Sequence, residues 1–66
     1  MHAVTLERLI DEWFKGGIKL NQAKKEFERR YITVALKETQ GNRSLAARQL
    51  GIHRNTLINK VKSHRI

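Results

Sequence analysis

The sequence has no cysteine and no proline, only four aromatic residues among 66, and no Asp or Glu beyond Glu38. Without cysteine there can be no disulfide and no thiolate metal site. This suits a reducing compartment, and the expected location is cytoplasmic. His2, His53 and His64 share no i, i+3 or i, i+4 spacing, which argues against a His-only metal site. No apolar run is long enough for a signal peptide or a membrane span, so no membrane partner is expected. There is also no nucleophile–base pair, no phosphate loop, and too little chain to enclose a pocket. The expectation is a non-enzyme with no cofactor. A chain this short buries only about 60% of its unfolded surface, and association with a second copy is the support that remains.

The carboxylates that are present lie in one part of the chain. Residues 1–40 carry eight Lys/Arg and six Asp/Glu, whereas residues 41–66 carry Arg43, Arg48, Arg54, Lys60, Lys62 and Arg65 with no acid. A basic region beside a near-neutral one is the electrostatic footprint of a polyanion binder. The plain alternative is a solvated basic tail.

Apolar spacing is helical throughout, so the expected fold class is all-α with four helices. Leu6, Leu9, Ile10, Trp13 and Phe14 fall on one stripe of a first helix. Thr5 is a candidate N-cap for it, Val4 and Leu9 a candidate hydrophobic staple, and Gly16-Gly17 its end. Ile18 and Leu20 continue the apolar surface through a short connection. A second helix, capped by Asn21, runs to about Thr39 and spans nearly ~30 Å. Glu26–Arg30 and Lys24–Glu28 are i, i+4 pairs on its wet side. Ala23, Phe27, Tyr31, Ile32, Val34, Ala35 and Leu36 occupy too much of its circumference for one packed face. Such a helix touches both its own domain and a second copy. The expected dimer interface is therefore Leu6, Leu9, Ile10, Trp13, Phe14, Phe27, Tyr31 and Val34. The aromatic residues among them fit a packed stripe better than a base-stacking platform.

Gly41 suits the left-handed position closing the second helix, and Asn42 can cap a third over Arg43–Leu50. Gly51 closes that helix, Ile52 and His53 turn the chain, and a fourth helix runs from Arg54 to about His64. The whole reads as one domain, 1–66, with dimerisation helices in 1–40 and a helix-turn-helix in 41–66. A helix-turn-helix needs a small residue where its helices approach and a turn residue tolerant of positive φ. Ala47 and Gly51 supply these. Ala46, Leu50, Ile52, Leu57 and Val61 are the apolar positions that fix the pair to the rest of the domain.

On the fourth helix Leu57 and Val61 point inward with His64 on the same side. Asn55, Asn59, Lys62 and Ser63 lie opposite, flanked by Thr56 and Ile58. Arg54 and His53 stand at the tip, where a recognition helix first meets base edges. Arg54 can bond guanine O6 and N7, and Asn55 or Asn59 adenine N6 and N7; the alternative for the two amides is plain surface. Thr56 and Lys60 fit phosphate contacts, as do Ser44, Arg43 and the amides at the start of the third helix. Lys62 and Arg65 suit non-specific attraction, Ile58 either a core edge or a thymine methyl, and His64 a half-buried packing role. A carboxylate among these residues would be repelled by a phosphate backbone, which accounts for its absence.

Phe27–Ile66 resembles the Fis-type helix-turn-helix, found in the factor for inversion stimulation and at the C-terminus of NtrC-type bacterial enhancer-binding activators. The resemblance rests on Glu28, Tyr31, Ile32, Leu36, Gly41, Asn42, Ala46, Ala47, Leu50, Gly51, Ile52, Arg54, Thr56, Leu57, Lys60 and Val61; the first helix is similar only loosely. It implies a homodimer whose N-terminal helices interlock, bound to partly symmetric double-stranded DNA in adjacent major grooves. By position it implies DNA contacts from His53, Arg54, Asn55, Thr56, Asn59 and Lys60, with Asn42 and Ser44 on phosphate. His53 replaces an Asn or Ser often found there, and Ile58 and Asn59 replace basic residues of the factor itself, so site preference is not carried over.

The expected function is sequence-specific DNA binding by the dimeric domain of a bacterial transcription regulator, acting in the nucleoid. Two forms stay open: the C-terminal module of an NtrC-type activator, or a free-standing Fis-like protein that bends DNA. RNA polymerase remodelling would enter only through an ATPase domain elsewhere in the former. A rival of another class is a helical protein-interaction module, which explains the first two helices but not the acid-free second half.

Overall fold

The computed structural model describes residues 3–66, with side chains from residue 5 onward. The order of elements is α1 (Ala3–Lys15), α2 (Leu20–Glu38), α3 (Arg43–Leu50) and α4 (Arg54–His64). All four are helices, and the described residues contain no strand.

The four helices close in the same manner. In each, a residue within two positions of the helix end adopts positive φ, and the next amide donates back to the carbonyl five residues earlier. The amides are those of Ile18, Gly41, Ile52 and Ile66, donating to Trp13, Leu36, Ala47 and Val61 at 2.8–3.0 Å. This is the Schellman arrangement, which satisfies carbonyls that a helix end leaves unpaired. Gly17 and Gly51 hold the left-handed position in α1 and α3, but Gln40 (φ 53) and Arg65 (φ 56) hold it in α2 and α4. The position expected for Gly41 therefore belongs to Gln40, and Gly41 follows it with φ 80. Helix α2 ends at Glu38 with Thr39 as its C-cap, one residue earlier than a Gly41 closure requires, which leaves a non-glycine residue in the left-handed position.

Helix starts depart further from expectation. Thr5 lies inside α1, two residues past Ala3, so its backbone is already helical and it cannot act as the N-cap. The Val4–Leu9 staple lies outside the described side chains. Asn21 is likewise inside α2, whose N-cap is Lys19 in extended conformation (φ −75, ψ 154). There Gln22 Oε1 accepts from the Lys19 amide at 2.9 Å, so the reciprocal half of a capping box fixes the start. Asn42 does cap α3, its Oδ1 accepting from the Leu45 amide at 3.1 Å.

The buried core is small and confined to the last three helices. Ile32 of α2, Ala46 and Ala47 of α3, and Leu57 and Val61 of α4 form it, with Ala35, Leu36, Leu50 and Ile52 packed at its edge. Two alanines at the centre let the α3 backbone come close to its neighbours. Thr39 is the buried polar residue, and its hydroxyl donates to the Ala35 carbonyl at 2.9 Å. Helices α2, α3 and α4 pack on one another, and α1 makes no comparable packing with any of them. The radius of gyration, 13.4 Å, accordingly exceeds the roughly 11 Å of a compact chain of this length.

Candidate nucleic-acid interface

Helix α4 is held by its inner side and free along its outer one. Leu57 is fully buried and Val61 nearly so, which seats the helix on Ile32 and the two alanines. Asn55, Thr56, Asn59, Lys62 and Ser63 are exposed. Among the described residues, no hydrogen bond or ion pair engages the side chains of Arg43, Ser44, Arg54, Asn55, Thr56, Asn59 or Lys62. A row of polar groups without partners inside the fold is available to a partner outside it.

The tip of α4 is organised by His53. Its Nδ1 accepts from the Asn55 amide at 3.0 Å, so this histidine caps the helix in place of the usual short polar side chain. Accepting at Nδ1 places the proton of the neutral imidazole on Nε2, which is then an outward donor. Arg54 follows it and is exposed. The turn that precedes them depends on Gly51. Its φ of 75 is a conformation that L side chains rarely adopt, although a Cβ built there would meet nothing within 4 Å. The requirement is conformational, with no steric part.

One of the expected site residues is arranged differently. Lys60 does not join the outer row: its Nζ lies 2.8 Å from Glu28 Oε1 on α2, and its side chain is 34% exposed. Glu28 therefore pairs with Lys60 and not with Lys24, because the inter-helix partner approaches from the packed side. His64 Nε2 lies 2.6 Å from the other oxygen, Glu28 Oε2, and is nearly buried at 11% exposure. Its burial fits the packing role, but its carboxylate partner was not legible from the sequence, since residues 28 and 64 become neighbours only when α4 folds onto α2. The hydrogen bonds from Lys60 and then His64 hold the Glu28 carboxyl below its ordinary range. On the wet side of α2, Glu26 binds Arg30 as expected and also Arg29, each at 2.6 Å. Arg29, then Arg30, lower its pKa to about 2.

The apolar residues expected at a dimer interface are on α1 and α2, away from the outer side of α4 in sequence and largely exposed. Leu6, Leu9, Ile10, Phe14, Phe27, Tyr31 and Val34 are between 37% and 80% exposed, and Trp13 is half-buried. Phe27 and Tyr31 stack at 5.3 Å on an exposed part of α2. The α1 stripe and the first half of α2 line a shared apolar groove of about 840 Å³. Among the described residues no cluster of His, Asp and Glu is placed to hold a metal ion, and no helix is long and apolar enough to cross a membrane.

Comparison with known proteins places this geometry. Residues 25–64 match the family described as bacterial regulatory protein, Fis family. The chain is 51% identical over 62 residues to the DNA-binding transcriptional regulator NtrC of Escherichia coli K12, covering 91% of this chain and 13% of that protein. Its counterpart in Klebsiella pneumoniae is 51% identical over 60 residues, covering 82% of this chain and 13% of that protein. The chain thus spans about one eighth of the length of these relatives. No solved structure matches it.

Proposed function

The chain belongs to the Fis family of bacterial regulatory proteins, and from that premise we propose that it is the dimeric, sequence-specific DNA-binding module of an NtrC-type transcription regulator. The observation that carries this reading is the outer side of α4, an acid-free polar surface whose side chains make no hydrogen bond or ion pair among the described residues.

Major-groove insertion of α4 uses each of these groups. Arg54 at the tip bonds guanine O6 and N7, and Asn55 and Asn59 offer paired donor and acceptor atoms to adenine, each good bidentate contact discriminating by roughly 1–3 kcal/mol. The His53 Nε2–H is a further donor at the same end. Thr56, Lys62, Arg43, Ser44 and the α3 amides beside Asn42 meet phosphate, setting register without reading sequence. Each phosphate neutralised lowers log K by about 0.9 per decade of salt.

Two copies are required on this reading, and the surface area supports them. A compact 7.7 kDa monomer exposes about 4,300 Å², whereas this chain exposes 5743 Å². The excess, about 1,400 Å² per chain, is what an obligate homodimer covers. The exposed large apolar side chains include most of the α1 stripe and Phe27, Tyr31 and Val34. Two α4 helices presented by such a scaffold read half-sites about one helical turn apart. The module itself performs no catalysis, and any remodelling of RNA polymerase belongs to other parts of a longer protein.

Selection of binding sites from random duplex DNA tests the proposal. Enriched sequences should carry a two-fold repeat spaced by about one turn. Arg54→Ala should relax the preference, whereas Lys62→Ala should weaken binding about equally on all duplexes. Enrichment of nothing, or an Arg54→Ala protein with the same preference, would refute it.

A further inference from the structure

Among the described residues every ion pair joins residues of one helix, except those made by Glu28. This carboxylate on α2 takes Lys60 with one oxygen and His64 with the other, and the two residues stand one turn apart on the recognition helix. A two-point attachment along a helix axis constrains more than distance. It fixes how far α4 can roll about its axis and how it inclines to α2. The same contact also occupies a cation. Lys60 lies beside Thr56, at the border of the outer face, and its side chain keeps a third of its surface exposed. Without Glu28 its four-carbon stem is free to swing toward a phosphate.

We propose that Glu28 is a specificity-determining positioning residue: it sets the roll of the recognition helix through Lys60 and His64, and it withholds the Lys60 charge from the DNA backbone. The inference rests on the duplex-binding reading above and deepens it. Contacts to phosphate strengthen binding to every sequence alike, whereas contacts to base edges distinguish sequences. A lysine tied to a carboxylate of the scaffold therefore lowers the background against which Arg54, Asn55 and Asn59 discriminate.

Glu28→Gln keeps the shape and a hydrogen-bonding group while removing the charge that holds the ammonium. Binding of the whole chain to a random-sequence duplex, and to a site recovered by selection, is measured across a salt series. The expected result is a slope of log K against log salt steeper by about 0.9, one added phosphate contact. Affinity for the random duplex rises about 8-fold at 0.1 M salt relative to 1 M, the factor this slope gives, and the ratio of specific to random binding falls. The double variant Glu28→Gln/Lys60→Met returns the slope to the wild-type value, which a merely structural role for Glu28 would not produce. An independent readout needs no variant: in ammonium-detected NMR of the wild-type chain, added random duplex should move the Lys62 signal and leave Lys60 in place. An unchanged slope in Glu28→Gln, or a Lys60 signal that moves with Lys62, overturns the proposal while leaving duplex binding intact. Failure of the wild-type chain to bind either duplex sinks the duplex-binding reading and this inference with it.

Discussion

Phe14 provides a direct test of whether the α1 stripe is an interface between copies. Its side chain is 80% exposed in the single chain, so truncation removes almost nothing from the subunit's own packing. Full burial of a large apolar side chain contributes about 1.5–3 kcal/mol. Four-fifths of that is about 1.2–2.4 kcal/mol per copy, and a symmetric pair loses it twice. Phe14→Ala should therefore weaken dimerisation by roughly 50- to 3,000-fold in Kd. The residue is helical, and alanine favours helix over phenylalanine, so the isolated subunit should keep its helix content. Sedimentation over a dilution series reads the dissociation constant, and circular dichroism at the same concentrations reads the fold. Leu57→Ala is the contrasting control. Leu57 is fully buried, and its loss should cost about 2–5 kcal/mol of folding at every concentration. If Phe14→Ala dimerised as the wild type does, the surface argument for a paired scaffold would fail.

Two further outcomes follow from local geometry. Gln40 holds a left-handed conformation at φ 53, which costs a non-glycine residue about 1–2 kcal/mol, and glycine's greater freedom in the unfolded chain offsets part of the gain. Gln40→Gly should stabilise the domain by about 0.5–1 kcal/mol in urea denaturation; a loss of stability would contradict the closure described for α2. Glu26, lowered to about 2, and Glu28, also lowered, are carboxylates depressed by cationic partners, so their stabilisation is complete above the ordinary value of 4.5 and lost as pH falls below it. The melting temperature should decline between pH 4.5 and 2, and Glu26→Gln should flatten part of that decline; an unchanged profile in the variant would refute the assignment.

What the sequence made legible follows from which signals are local. The bounds of α3 and α4 and the turn between them could be read in advance, because Asn42, Gly51 and the spacing of Ala46, Leu50, Leu57 and Val61 act within a few residues of where they stand. That the apolar positions of α2 are too many for one packed face was also legible, and Ile32 at 3% against Tyr31 at 57% exposure shows the part packed within its own domain and the part left open. The starts of α1 and α2 were not. Thr5 and Asn21 are good caps in isolation, but helix propensity carries α1 past Thr5, and Gln22 offers α2 an alternative start. The Glu28 contacts lay beyond reach for a different reason. Residue 28 meets 60 and 64 only through the tertiary fold, and from sequence its neighbour Lys24 was the better partner.

The separation between the inner and outer sides of α4 bears on how such a protein changes over time. Leu57 and Val61 seat the helix, while Asn55, Asn59, Lys62 and Ser63 are exposed and make no side-chain hydrogen bond or ion pair among the described residues. Exchanges at exposed positions of this kind shift stability by no more than about 0.5 kcal/mol. On the duplex-binding proposal, a lineage can thus rewrite the address this helix reads while the chassis that carries it stays as it is, and new operators become accessible by single mutational steps.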